Sequence, residues 1–247
     1  MPARGKFIVL EGIDGSGKRT QLEMLVRAFA DRGIACKQIS FPRYDGFFGK
    51  LVARFLNGEF GELEAVDAHF SSLLYAGDRL EAKPAIEADL AAGRAVLCDR
   101  YIGSNLAHQS AMVPRGKRKE FLRWLMQLEY KIYLLPVEDL VIYLRVPAGE
   151  AQRLVGEKGR RKYTKLRRDI MESNLAHLKT ASHVYEELAR QANWATVECT
   201  SAGKRGAPPL RRSLRTSLRT PEEIHGDVLS AIEMRLFQVS RAIGQAE

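Results

Sequence analysis

Apolar positions along the chain alternate between two regimes. Short runs rich in β-branched and other apolar residues, KFIVLE, IACKQISF, AVLCD, DLVIYLRV and WATVEC, read as strands. Between them lie stretches with helical spacing over 18–32, two segments within 47–92, 102–133, 147–156 and 169–191. The runs FIVL and LVIYL are apolar throughout and do not alternate, as expected when both faces of a strand are buried. Five strands, each followed by helix or loop, are the pattern of an α/β fold with a parallel sheet covered on both faces.

The last helix, expected over about 220–243, is the most sharply marked. Thr220-Pro221-Glu222-Glu223 joins an N-cap hydroxyl, a proline at the first helical position and a capping-box carboxylate three residues on. Behind it Ile224, Val228, Ile232, Leu236, Val239 and Ile243 form one apolar stripe that packs on the domain. The preceding stretch, about 200–219, carries glycine, two prolines and six basic residues with little periodicity, and reads as an exposed loop insertion. No internal repeat is present, and the whole of 1–247 is expected to form a single domain.

Composition narrows the class. With 45% apolar and 28% charged residues in 247, the chain is neither a disordered tail nor a fibre. The formal charge of +9 points to anionic partners. That excess is concentrated: 158–168 (KGRRKYTKLRR) holds seven basic side chains and 204–219 six, with no acid in either. Setting these thirteen aside leaves 26 basic against 30 acidic side chains, unlike a broad basic face made for a duplex. Cys36, Cys98 and Cys199 are far apart, so no metal spacing or paired disulfide framework exists, and buried thiols in a reduced compartment are expected. The N-terminal run is too short for a signal or a membrane span, and a cytoplasmic protein without membrane contact is the expectation.

Candidate chemistry begins where the first strand ends. It runs straight into Gly12-Ile13-Asp14-Gly15-Ser16-Gly17-Lys18-Arg19-Thr20 and then a helix. Glycines let successive backbone N–H groups turn inward, and the helix offers its positive N-terminal end to the same point, which is the geometry of a phosphate cradle. Lys18 adds a mobile cation for the β and γ phosphates of a triphosphate. Arg19 holds the position where a metal-ligating hydroxyl is usual, with Thr20 one residue late.

Ligands of parallel α/β sheets sit beyond the carboxyl ends of the strands. Phe41-Pro42-Arg43-Tyr44 follows strand two; Asp99-Arg100-Tyr101 follows strand three, with Ser104, Asn105, His108 and Gln109 on the next helix. Arg43, Arg79 and Arg100, brought near the cradle, would suit a second phosphate group, because guanidinium forks match phosphate oxygens. The alternative is that Arg79 and Arg100 pair with adjacent Asp78 and Asp99. Asp99, ending a buried strand, is the carboxylate placed to reach magnesium. Tyr75, one helical turn before Arg79, would stack on a base, and Asn105 offers both an amide donor and a carbonyl acceptor, as a pyrimidine edge requires. Of five histidines only His108 falls near this site; the other four read as surface or packing residues. The basic segment 158–168 is expected to be a lid whose arginines fold onto the triphosphate.

With these residues assembled, the chain resembles thymidylate kinases of the P-loop nucleoside monophosphate kinase group along nearly its whole length. The matching pieces, in the family's order, are FIVLEGIDGSGK, FPRY, YAGDR, DRYIGSN, LEY before LPVEDLVIYL, the Arg-rich segment, RDIMES and TPEEIH. The resemblance implies a five-stranded parallel sheet wrapped by helices, a homodimer, and transfer from ATP to dTMP with Mg²⁺, giving ADP and dTDP. It implies ATP contacts from Gly12 through Thr20, and dTMP contacts from Asp14, Arg43, Tyr44, Tyr75, Arg79, Arg100, Asn105, His108 and Gln109. Asp14, Asp99 and Glu172 are its metal candidates, and Asp169 with Glu172 matches acids at the lid edge. Lys18, Arg100 and the lid residues Arg160, Arg161, Arg167 and Arg168 would supply catalytic charge; Gly15 stands where some members carry a basic residue. Arg19 departs from the usual hydroxyl, and His108 stands where many members have a tyrosine near the sugar's 2′ position.

Four rivals remain, one of them a binding protein that keeps the cradle but has lost catalysis, to which Arg19 points. A deoxynucleoside kinase needs a carboxylate base for a neutral hydroxyl, whereas FPRY offers arginine and no acid. Another nucleoside monophosphate kinase would differ in the acceptor segments. A nucleic-acid-binding ATPase would use the two basic segments as backbone contacts, but these hold only Tyr163 as an interleaved aromatic.

Overall fold

The computed structural model describes residues 3–157, 170–171, 174–201 and 217–237. The segment 158–168 with Arg160, Arg161, Arg167 and Arg168, the acids Asp169 and Glu172, and Val239 and Ile243 lie outside the described residues.

Five strands, β1 (Phe7–Glu11), β2 (Cys36–Ser40), β3 (Ala95–Asp99), β4 (Leu140–Arg145) and β5 (Trp194–Glu198), form one parallel sheet in the order β2-β3-β1-β4-β5. β1 is central, and all five of its residues are buried because helices cover both faces. The register sets Leu10 beside Asp99 and Glu11 beside Tyr143, so β1, β3 and β4 end together and their following loops share one rim. β2 is an edge strand with Lys37, Gln38 and Ser40 exposed, which is why its pattern is less apolar than the others. Phe7, Leu10, Leu22, Leu25, Phe29 and Ile142 lie in the core, each such side chain contributing roughly 1.5–3 kcal/mol by leaving water.

The helices are α1 (Lys18–Asp31), α2 (Phe47–Leu56), α3 (Ala68–Ala91), α4 (Ile102–Ala111), α5 (Arg118–Met126), α6 (Ala148–Glu157), α7 (Leu175–Leu188) and α8 (Pro221–Ile232). Two differ from the periodicity. The stretch 102–133 is not one helix: Pro114 has no N–H and disfavours a helical residue before it, so α4 ends at Ala111 and the chain resumes in α5. α5 then widens into a π turn, Gln127–Ile132. Within 169–191, α7 begins only at Leu175, where the Asn174 side chain accepts from the His177 N–H at 3.0 Å.

α8 starts as its sequence requires. The Glu223 N–H donates to Thr220 Oγ1 at 3.2 Å and the Thr220 N–H to Glu223 Oε2 at 2.8 Å. Ile224, Val228 and Ile232 are buried, Leu236 packs on the core, and Gln21 Nε2 ties α1 to the Pro221 carbonyl at 2.9 Å. The insertion leaves and re-enters the domain through a two-residue antiparallel pair, β6 (Thr200–Ser201) with β7 (Ser217–Leu218). No helix among the described residues is long and apolar enough to cross a membrane.

Candidate active site

The loop after β1 is shaped by what its glycines lack. Gly12, Gly15 and Gly17 have φ of +146°, +89° and +88°, a region that other L-residues rarely adopt. A Cβ on Gly12 would lie 2.8 Å from the Leu144 carbonyl oxygen, and one on Gly15 would lie 2.2 Å from that of Ala151. No basic side chain fits at position 15 unless α6 moves. α1 opens at Lys18 without a side-chain cap, so the N–H groups of its first turn face the loop with the helix dipole behind them.

Lys18 is buried, and its Nζ donates to the carbonyl oxygens of Gly12 at 2.8 Å and Ile13 at 2.9 Å and to Ser16 Oγ at 3.3 Å. Burial, and next the charge of Arg100, lower its pKa from 10.5 to about 8 against the pull of Asp14, Asp99 and Glu11. Between these two values the unfolded chain holds the proton more tightly. Lys18 therefore opposes folding below pH 8, and that penalty is relieved as pH rises toward 10.5. A bound polyphosphate reverses the shift. Titration calorimetry in buffers of different ionisation heat should show ATP binding with proton uptake at about pH 9 and almost none from this group at about pH 6. Lys18→Met should abolish the difference; equal uptake at both pH values would count against it.

Arg100 follows β3 in the left-handed region, φ +66°, which aims its side chain back over the loop. Its Nη2 donates to Asp14 Oδ1 at 2.5 Å, and its Nη1 reaches Ser104 Oγ at 3.0 Å, the Gly12 carbonyl at 3.4 Å and His108 Nε2 at 3.5 Å. Burial works against its charge, but Asp14 and the acids behind it outweigh that and raise its pKa well above the usual value. The turn is pinned by Glu11, a fully buried carboxylate that accepts from the N–H groups of Tyr101 (2.8 Å) and Ser104 (2.9 Å), from Ser104 Oγ (2.7 Å) and from Tyr185 OH (2.9 Å).

A cleft opens beside Arg100, and Asp14, Tyr44, Tyr75, Arg79, Asn105, His108 and Gln109 line it. The structure thus gathers the candidates drawn from β1, β3, α3 and α4. Arg43 is not among the lining residues. Its Nε reaches Asp78 Oδ1 at 3.0 Å, and its Nη2 reaches the Asp78 carbonyl at 3.0 Å and Glu81 Oε2 at 3.2 Å. Asp78 therefore serves Arg43, and neither Arg79 nor Arg100 pairs with its sequence neighbour. Arg79 instead meets Glu129 through Nε at 2.9 Å and Nη2 at 2.5 Å, both side chains buried.

Tyr75 is half-buried and stands edge-on to Phe55, ring centres 6.4 Å apart. Gln109 accepts from Ser71 Oγ at 2.8 Å. Asn105 departs from the expected dual role: its amide donates to the Ser72 carbonyl at 3.2 Å and to Glu129 Oε1 at 2.7 Å, and only Oδ1 lacks a partner among the described residues. His108 has a buried companion in His177, one of the four histidines expected at the surface or in packing. Its Nδ1 lies 3.4 Å from Nε2 of buried His177, with the rings stacked at 5.6 Å. Burial, reinforced at His108 by Arg100, lowers both pKa values, that of His177 to about 4, so the pair is neutral at pH 7.

Arg19 does not enter the cradle. Its exposed side chain pairs with Glu23 at 3.0 Å, one turn along α1, and Thr20 is also exposed. Asp99 ends β3 with Oδ1 buried and unpartnered among the described residues, an open acceptor next to the cradle. Among those residues no group of three or more His, Cys, Asp or Glu side chains is set to hold a metal by itself.

A parallel sheet of this order, with a lysine-bearing glycine loop at the end of its central strand and an arginine-lined cleft next to it, defines the P-loop nucleoside monophosphate kinase class of α/β fold. Comparison with known proteins narrows it. The family model described as Thymidylate kinase matches residues 10–205, and the chain belongs to the thymidylate kinase family. The "Probable thymidylate kinase" of Pyrococcus horikoshii is 33% identical over 95% of this chain and 98% of its own length. The thymidylate kinase of Mycobacterium tuberculosis is 32% identical over 77% and 90%. The solved thymidylate kinase of Candida albicans shares the fold, with a TM-score of 0.71 at 21% identity over 95% of this chain and 93% of that one.

Three functional-site residues escaped the sequence analysis: Glu11, Glu129 and His177. The only local signal was a carboxylate inside an apolar run, at FIVLE and again at LEY.

Proposed function

We propose that this chain catalyses ATP + dTMP → ADP + dTDP by direct in-line transfer. The observation that carries the reading is the meeting of two cations at one atom: Lys18 Nζ and Arg100 Nη1 both donate to the Gly12 carbonyl, at 2.8 and 3.4 Å. A phosphate held by each would abut the other. An oxygen of the dTMP phosphate forms the new bond to the γ-phosphorus as the bond to the β–γ bridging oxygen breaks, and the electron pair leaves with ADP. The attacking oxygen is already ionised near neutral pH, so alignment and positive charge are needed and a strong base is not.

In this reading the loop Gly12 to Thr20 cradles ATP, and Arg100 holds the acceptor phosphate with Asp14 fixing its fork. Arg43 would join it only by leaving Asp78. Tyr75 stacks on thymine, Arg79 and Asn105 read its edge, and Tyr44, His108 and Gln109 surround the rest of the nucleotide. Asp99 would hold Mg²⁺, since Asp14 is engaged by Arg100. When bound, the ion neutralises charge on the β and γ phosphates. Catalytic roles for Arg160, Arg161, Arg167 and Arg168, and a metal role for Glu172, remain part of the proposal.

The deciding assay follows ADP release with ATP, Mg²⁺ and each nucleoside monophosphate in turn; dTMP should be the best acceptor and thymidine inert. Transfer to thymidine but not dTMP would make the protein a deoxynucleoside kinase. Hydrolysis stimulated by DNA or RNA without transfer would make it a nucleic-acid-dependent ATPase.

A homodimer belongs to the same proposal. Phe70, Leu73 and Leu80 lie on one face of α3 and remain 43%, 39% and 38% exposed, a stripe that a second α3 would cover. The double change Leu73→Glu, Leu80→Glu should halve the particle mass measured by light scattering; an unchanged mass would move the interface elsewhere. A reduced cytoplasmic setting suits the three unpaired thiols, Cys36, Cys98 and Cys199.

A further inference from the structure

We infer that Glu129 is a positioning residue that fixes which protons the base-reading edge presents, and thereby selects a 4-keto pyrimidine bearing N3–H over a 4-amino pyrimidine. The inference rests on the reading of the cleft as the dTMP site and deepens it.

Glu129 sits in the π turn after α5, 0% exposed. Its Oε1 accepts from Arg79 Nη2 and from Asn105 Nδ2, at 2.5 and 2.7 Å, and its Oε2 accepts from Arg79 Nε at 2.9 Å. The second amide proton of Asn105 goes to the Ser72 carbonyl at 3.2 Å. Neither partner of the amide can donate. Turning it over would set Asn105 Oδ1 against a carboxylate and a carbonyl, so its orientation is dictated by chemistry. What remains of the amide is an acceptor, Oδ1, buried and unpartnered among the described residues, on a side chain that lines the cleft together with Arg79, which can only donate.

Thymine offers O4 to a donor and N3–H to an acceptor, which complements that pair. Cytosine offers an amino group and a bare N3, so both contacts would oppose like groups, and a site built on buried polar pairs rejects such a ligand strongly. The carboxylate is the reason the pair cannot adapt. Glutamine has the same shape but carries a donor. Its single oxygen cannot accept from Asn105 and from both arms of Arg79 as the two carboxylate oxygens do, so the amide and the guanidinium are no longer held in one arrangement and the match to N3–H and O4 is lost.

The test is Glu129→Gln in the full-length protein, with kcat and KM measured for dTMP, dCMP and ATP. The preference for dTMP over dCMP should fall about tenfold or more, mainly through a higher KM for dTMP, while KM for ATP stays as in the parent. A folded variant that keeps the parent preference overturns the inference. If the parent protein itself does not phosphorylate dTMP, the cleft reading fails and the inference falls with it, a result visible before any variant is made. Should the glutamine variant not fold, as judged by circular dichroism, the parent protein decides. Its Asn105 side-chain amide protons should exchange slowly with water, by NMR, both free and with dTMP bound; fast exchange in either state overturns the inference.

Discussion

Lys18→Met should lower kcat for phosphoryl transfer by about 10²–10³-fold, a larger loss than any change in KM for dTMP. Methionine keeps length and apolar bulk in a position that is almost fully buried, so the loop should keep its fold and heat stability should change little. Below pH 8 the change relieves a desolvated ammonium, which the native state protonates less readily than the unfolded chain, but it also leaves the Gly12 and Ile13 carbonyls without their donor, and the two effects oppose each other. What disappears is the cation that three loop oxygens now position and that would stabilise charge on the bridging oxygen as it becomes a leaving group. Steady-state kinetics checks the prediction; a variant within tenfold of the parent would show that backbone N–H groups alone hold the phosphates.

Arg100→Ala should lower kcat/KM for dTMP by about 10²–10³-fold and leave KM for ATP within a few fold. Arg100→Lys should not restore it. The guanidinium spans Asp14 and Ser104 with separate nitrogens, and an ammonium at the end of a flexible stem cannot reproduce that fork. The loss should appear for dTMP and not for ATP, because the contacts of Arg100 run to α4 and to the start of the loop and not to α1. Equal losses for both substrates would assign Arg100 to the donor side.

Much of this molecule is legible in its sequence, wherever the cause of a structure is local. The buried strands, the glycine loop and the capping box of α8 are each settled by residues within a few positions of one another. The break at Pro114 is also local, but apolar spacing continues on both sides of it and hides it. The partners of charged groups were not legible. Arg79 passes over adjacent Asp78 for Glu129, 50 residues away, and Asp78 turns to Arg43, 35 residues back. His108 meets His177 across 69 residues, and Glu11 reaches Ser104 across 93. In the interior a charge takes whichever partner the packing brings within reach, and sequence distance carries no information about that. Family resemblance supplied roles for Arg79 and Asn105, but only the geometry shows that Ser72 and Glu129 take the amide hydrogens and leave its oxygen without a partner among the described residues.

The ammonium of Lys18 rests on the carbonyls of Gly12 and Ile13 and the hydroxyl of Ser16, all oxygens of its own loop. The loop is its own placeholder. A cation with counterparts at hand in its own loop is never stranded, so a phosphate that leaves it faces little electrostatic drag.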